Sequence, residues 1–104
     1  MITDPSLVVL TARLAYWVDE HPARVAWIIE CLARHNASDW GDLDSDDASL
    51  NDASLVRRHG QVLSRYAVPP ALLDEDPDDD SIWIITDDLA DTEGTTTLLW
   101  PMDY

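Results

Sequence analysis

Asp42, Asp44 and Asp46 alternate along Asp42-Leu-Asp-Ser-Asp-Asp, the spacing with which a calcium loop presents its first three oxygen ligands. The match ends there. The sixth position, where such a loop turns on Gly, is Asp47, and the twelfth, where a Glu closes the site, is Ala53. His21, His35 and His59 lie in separate connectors or helix ends without i,i+4 spacing, so nothing forces them to converge on a metal. Ser38, Ser45 and Ser64 could each serve as a nucleophile beside a His, but no Gly-x-Ser-x-Gly elbow surrounds them. Gly41, Gly60 and Gly94 are too dispersed to build a phosphate loop. Cys31 is the single cysteine and sits in the apolar stretch Trp27-Ile-Ile-Glu-Cys-Leu, which reads as packing and not as chemistry. The expectation is a protein with no catalytic residue, no cofactor and no metal, and not an enzyme.

Carboxylates dominate what remains. The chain has 104 residues, with 21 acids against six bases and a formal charge of −15. Every base is Arg, and the last is Arg65, so residues 66–104 carry 11 acids and no Lys or Arg. Such a charge opposes direct binding to nucleic acid or to an anionic membrane, because both need the opposite sign. It has three readings: an acidic surface for a basic partner, adaptation to a salt-rich cytoplasm, or the neutral outcome of a GC-rich genome that favours Arg and Asp. No apolar run approaches the ~20 residues of a membrane helix. Met1-Ile-Thr-Asp-Pro-Ser lacks a basic n-region, so a cytoplasmic protein is expected.

The elements that must position these acids follow from periodicity. Leu7-Val-Val-Leu is a short β-prone run. From Ala12, Leu14, Trp17 and Val18 give one helical face, stopped at His21-Pro22. Pro22 opens a second helix to about Arg34, with Val25, Ile28, Ile29 and Leu32 as its apolar stripe, widened by Trp27 and Cys31, and with a Glu30–Arg34 pair. A third helix, capped by Ser45, runs from about Asp46 to Arg58, and Gly60 is the C-cap candidate. The period then shifts towards 2. Strands are expected at 61–68, at Ser81-Ile-Trp-Ile-Ile-Thr and at Thr95-Thr-Thr-Leu-Leu-Trp. The 81–86 strand is apolar on both faces and therefore central. The result is one α+β domain over residues 1–104: three N-terminal helices packed on a small, mainly antiparallel sheet of three to four strands, joined by the run at 7–10 if the fourth forms.

Of five tryptophans, Trp17, Trp27 and Trp83 read as core. Trp40, set in an acidic connector, is either a plug that pins the loop or an exposed anchor for a partner. The acids fall into three clusters: Asp39, Asp42, Asp44, Asp46, Asp47 and Asp52; then Asp74, Glu75, Asp76, Asp78, Asp79 and Asp80; then Asp87, Asp88, Asp91 and Glu93. In a meander the last two clusters lie at opposite ends of the 81–86 strand, roughly 17–20 Å apart. Duplex DNA offers a phosphate every ~1.7 Å of axis, and carboxylates spread over such a surface could imitate that field. All three clusters except Asp52, with Trp40, are the candidate partner-binding residues. The expected partner is a basic DNA- or RNA-binding protein. The alternative is a self-associating module, a homodimer built on Ile82–Ile85, whose acidity serves solubility or halophily.

The segments His35-Asn-Ala-Ser-Asp-Trp-Gly-Asp-Leu, Asn51-Asp, Gly60-Gln-Val-Leu-Ser-Arg-Tyr, Ile82-Trp-Ile-Ile-Thr-Asp and Thr95-Thr-Thr-Leu-Leu-Trp-Pro-Met-Asp-Tyr resemble a group of small acidic, plasmid-related proteins encoded on mobile elements. The resemblance covers roughly residues 23–104, and Asp39-Trp-Gly-Asp and Ile82-Trp-Ile-Ile-Thr are its most specific parts. This chain departs from the group in a long insertion, Val68 to Asp80. The resemblance implies a mobile-element setting, for which restriction or CRISPR machinery would be natural targets, and supplies no mechanism.

Overall fold

Leu7-Val-Val-Leu forms strand β1 (Leu7–Leu10) and is followed by three helices, α1 (Ala12–Asp19), α2 (Pro22–Asn36) and α3 (Ser45–Arg57). Then come β2 (Val62–Ala67), a 3-10 turn (Pro70–Leu72), β3 (Ser81–Thr86), β4 (Thr95–Leu99) and a second 3-10 turn (Pro101–Asp103). The computed structural model describes residues 7–75, 77, 79–87, 89 and 94–104.

The strands form one mixed sheet in the order β1-β4-β3-β2. β3 is antiparallel to both neighbours, with Ile84 opposite Ser64 and Leu98. β1 runs parallel to β4, with Leu10 opposite Leu98. The α+β class is as expected, but the helices do not precede the sheet: all three lie between β1 and β2. A parallel neighbour requires a long crossover. Here β1 is joined to β4 by nearly the whole chain, a pairing that no local pattern announces.

Local signals set the helix ends. His21 is extended (φ −144°) ahead of Pro22, as a residue before proline must be. α3 starts one residue earlier than its Ser45 signal, because the Asp44 carboxylate caps it by accepting the Asp47 N–H at 2.9 Å. The same helix ends at Arg58 in the left-handed region (φ 53°), two residues before Gly60 (φ 82°).

Even-numbered residues of β2, β3 and β4 face the helices, Val62 towards α3 and the rest towards α1 and α2. Leu14, Trp17, Val18, Ile28 and Cys31 close on Tyr66, Ile82, Ile84, Leu98 and Trp100. A second cluster, Trp40, Val62 and Leu89, lies under Leu43, Ala48 and Leu55. Burial pushes the Cys31 thiol up to about 12, which suits a packing residue. Trp83 is only half-buried on the opposite face, where its ring meets Tyr104 at 5.5 Å, so its placement in the core is corrected.

α2 is rotated from the face its apolar residues suggest. Its buried positions are Arg24, Ile28, Cys31 and His35, while Val25 and Ile29 are 40% and 62% exposed. Two polar groups win inward places because the interior satisfies them. Arg24 (2% exposed) donates to the Leu72 carbonyl at 2.9 Å and the Trp17 carbonyl at 2.8 Å, and to Glu20 and Asp74 at 3.2 and 3.0 Å. Its guanidinium also lies 4.2 Å from the Trp17 ring centre. The expected Glu30–Arg34 pair is absent among the described contacts: Arg34 turns to Asp39 and lies over the Tyr66 ring at 4.8 Å.

This rotation has a direct test in urea denaturation. Ile28→Ala is expected to cost about 2–5 kcal/mol, as core truncations do, and Ile29→Ala to stay within about 0.5 kcal/mol. Equal losses would contradict the observed face.

Candidate functional site

Asp39-Trp-Gly-Asp is bound edge-on to β2. The Trp40 carbonyl accepts the Arg65 N–H at 3.1 Å, and the Asp42 N–H donates to the Arg65 carbonyl at 2.7 Å. The Asp42 carboxylate accepts the Ala67 N–H at 3.0 Å. One turn along α3, the Asn51 side chain treats Leu63 as a strand neighbour would, donating to its carbonyl at 2.6 Å and accepting its N–H at 3.1 Å. The outward backbone groups of Leu63 and Arg65 and the N–H of Ala67 are thereby satisfied, and the edge is sealed. Gly41 (φ +70°) permits the contact: a Cβ there would collide with the Arg65 carbonyl and the Tyr66 ring.

Side chains hold this segment from the other direction. Arg34 clamps the Asp39 carboxylate at 2.7 and 3.2 Å, and this hydrogen-bonded guanidinium is the main reason the carboxyl sits below its ordinary range. The Tyr66 hydroxyl donates to the Asp39 carbonyl at 2.6 Å. Trp40 is buried, its Nε1–H donates to Asp52 at 3.1 Å, and its ring meets His35 edge-on at 5.7 Å. Of the two roles open to Trp40, the structure gives it the plug. It positions its acidic neighbours and does not present its ring to a partner.

The acids divide by place. The Val68 N–H donates to the Asp80 carbonyl at 2.8 Å, directly beside the Ala67 N–H that binds Asp42. The first two clusters therefore meet at the C-terminal end of β2. There Asp42 and Asp80 are exposed; Asp44, Asp46 and Asp47 are exposed at the start of α3, and Asp79, half-exposed, turns with Asp74 into a cavity shared with Arg13, Tyr16 and Trp100. Arg65 stands at this end too, with its Nε 3.4 Å from Ser81 Oγ. Asp74 leans away to Arg24. Asp87, the described member of the third cluster, does not join them. The Leu89 N–H donates to the Gly60 carbonyl at 2.8 Å, which sets Asp87 at the opposite end of the sheet, near the α3 C-terminus. Asp76, Asp78, Asp88, Asp91 and Glu93 lie outside the described residues.

Arginines neutralise acids elsewhere. Arg13 pairs with Asp103 at 3.1 Å, Arg24 with Glu20 and Asp74, and Arg34 with Asp39. Burial of Asp103 works against its charge, but hydrogen bonds from Thr11, Arg13 and the Trp100 N–H outweigh it and lower its pKa. Among the described residues no ion pair compensates Asp42, Asp44, Asp46, Asp47 or Asp80.

Two arrangements with chemical potential resolve into structure. Asp42 and Asp44 spend carboxylate oxygens on backbone N–H groups, and Asp46 already lies in the first turn of α3. Among the described residues no group of three His, Cys, Asp or Glu is placed to hold a metal. His35 Nδ1 and Ser64 Oγ stand 2.6 Å apart, a spacing suited to a nucleophile and its base. Both are 0% exposed, so no substrate reaches them. His35 Nε2 continues to Thr86 Oγ1 at 2.9 Å, which meets Thr96 Oγ1 at 2.7 Å, so the chain ties α2 to three strands. Sequence reasoning missed Arg24, His35, Asn51 and Tyr66. His35, Asn51 and Tyr66 fall within segments that carry the resemblance, and no sequence signal marked Arg24.

Among the described residues no helix is long and apolar enough to cross a membrane. No protein-family model, curated protein or solved structure matches the chain.

Asn51→Leu removes both partners of Leu63, leaves its N–H and carbonyl unpaired, and is expected to cost about 2–4 kcal/mol and promote aggregation through the opened edge. Denaturation and light scattering read the two effects. Burial lowers the His35 pKa from 6.5 to about 4. The folded state thus favours neutral His35, and this contribution is complete above pH ~6.5 and lost as pH falls towards ~4, about 3 kcal/mol in all. An NMR titration should leave the His35 ring signals unmoved from pH ~7.5 to ~5.5, and protonation in that window would refute the assignment.

Proposed function

We propose that this chain is a non-enzymatic interaction protein that binds a basic, nucleic-acid-handling protein by presenting carboxylates where that protein expects phosphates. The observation that carries the reading is the meeting of Asp42, which leads into the acidic start of α3, with Asp80 at one end of β2 on a chain of formal charge −15. Among the described contacts, Arg13, Arg24 and Arg34 are spent on other acids. The carboxylates there sit on a sealed strand edge and a capped helix start, so their spacing is held and a cationic groove can be matched without reordering them. The same charge opposes direct contact with nucleic acid or an anionic membrane. The plasmid-related resemblance favours a cytoplasmic, mobile-element setting, with restriction or CRISPR effectors as targets.

The expected behaviour is binding to such an effector that competes with DNA and weakens steeply with salt. Replacing Asp46, Asp47 and Asp80 with Asn removes three charges without touching the cap or the strand edge. It should weaken binding by at least ~10-fold, since each interfacial charge commonly contributes about 1 kcal/mol or more. A competition mobility-shift assay at several salt concentrations reads both effects. Binding indifferent to salt, or a complex that still holds DNA, overturns the proposal.

A further inference from the structure

We infer that the cavity between α1 and the segment joining β2 to β3 binds the guanidinium of an arginine side chain presented by another protein. This gives the partner proposed above an anchor residue and rests on that proposal for its source. The cavity holds about 270 Å³, far more than the ~10–15 Å³ that admits one water. Tyr16, Trp17 and Trp100 supply rings to its wall, and Glu20, Asp74 and Asp79 supply carboxylates. The Trp17 and Trp100 rings are buried and meet edge to face at 5.0 Å, so this part of the wall is preformed. Tyr16 is 78% exposed at the mouth.

The chemistry of the wall selects the ligand. Asp79 Oδ2 is shielded from solvent and has no hydrogen-bond partner, a state that costs free energy until a donor reaches it. The terminal torsion of Asp is soft, so a small turn brings this carboxylate onto a cation in the cavity. Glu20 and Asp74 are more than half exposed, and each meets Arg24 through one oxygen, at 3.2 and 3.0 Å, so each keeps a second oxygen able to accept. Arg13 also lines the cavity and is held to Asp103 at 3.1 Å. These four carboxylates face two guanidiniums, an excess of two negative charges among the described residues. Carboxylates beside rings suit a flat, weakly hydrated cation that stacks and hydrogen-bonds at once, which favours guanidinium over ammonium. Arg24 displays that arrangement next door: its guanidinium lies 4.2 Å from the Trp17 ring centre and donates to Glu20 and Asp74. Among the described residues the carboxylates do not converge as metal ligands would.

The test is an NMR titration of the isotope-labelled full chain at ~0.15 M NaCl. Its probes are Nα-acetyl-arginine methylamide, the lysine and citrulline counterparts, and free arginine. The capped arginine should shift the indole N–H signals of Trp17 and Trp100 saturably, with a dissociation constant on the order of 1 mM. Neutral citrulline should give no saturable shift, and lysine should bind at least ~3-fold more weakly. Asp79→Asn and Tyr16→Ala should each weaken the capped arginine at least ~3-fold, while Asp46→Asn, outside the cavity, should leave it unchanged. Circular dichroism verifies that the variants fold. No effector enters the titration, so its outcome is independent of the mobility-shift result. Equal shifts with citrulline, absence of saturation, or binding untouched by both Asp79→Asn and Tyr16→Ala overturns the inference. Free arginine bound at least ~10-fold tighter than the capped form assigns the cavity to an amino acid and overturns the protein source.

Discussion

The outer edge of β2 is where this fold is closed, and most of what is distinctive in the chain serves that closure. An edge strand presents a row of N–H and carbonyl groups that will pair with any available chain. Here the row is met by three devices: main chain from Trp40 and Asp42, a carboxylate from Asp42, and an amide from Asn51 that imitates a peptide. Close approach requires a residue without Cβ, and Gly41 supplies it. Once the segment is laid on the strand, the Trp40 ring goes inward and the next residues start α3, whose first turn is acidic. The contacts that protect the edge are therefore the same contacts that fix where the carboxylates stand.

Buried polar groups supply the second constraint. Arg24 and His35 occupy places on α2 where the apolar pattern puts Val25 and Ile29. A buried charge is tolerated only when its hydrogen bonds are met. Arg24 meets them with two carbonyls, two carboxylates and an aromatic face. The neutral imidazole of His35 meets them with Ser64 and the Thr86–Thr96 hydroxyl pair. Both join helices to distant segments, so they set which way α2 faces as well as how tightly it packs.

These facts explain what could be read from the sequence. Strand and helix positions were legible, since periodicity and caps are local: β3 was identifiable as central from its two apolar faces, and α1 from Leu14, Trp17 and Val18. The parallel β1–β4 pairing was not, because it joins residues nearly ninety positions apart. The rotation of α2 was hidden because Arg24 and His35 look like surface residues until their partners are known. The motif at 39–42 was recognisable as specific, yet its role was not, because its contacts are to the backbone of β2, and backbone leaves no mark in sequence. The acidic clusters were plain, but only strand register shows that two of them meet.

That meeting bears on how a chain of this charge stays folded. Asp103, Glu20, Asp74 and Asp39 are matched by Arg13, Arg24 and Arg34. At the β2 end the Asp44, Asp46 and Asp47 charges sit at the N-terminus of α3, where the helix dipole favours negative charge by about 0.3–1 kcal/mol each. Asp42 is stabilised by a backbone N–H. In water, like charges 4 Å apart repel by about 1 kcal/mol, so local backbone dipoles, with Arg65 at the same end, offset much of the repulsion. Dipoles that stabilise the charges leave them exposed and unpaired, whereas arginines would have consumed them. Backbone can therefore stabilise neighbouring carboxylates without consuming their charge, and this chain does so along the β2 edge, where the same contacts also cover the strand.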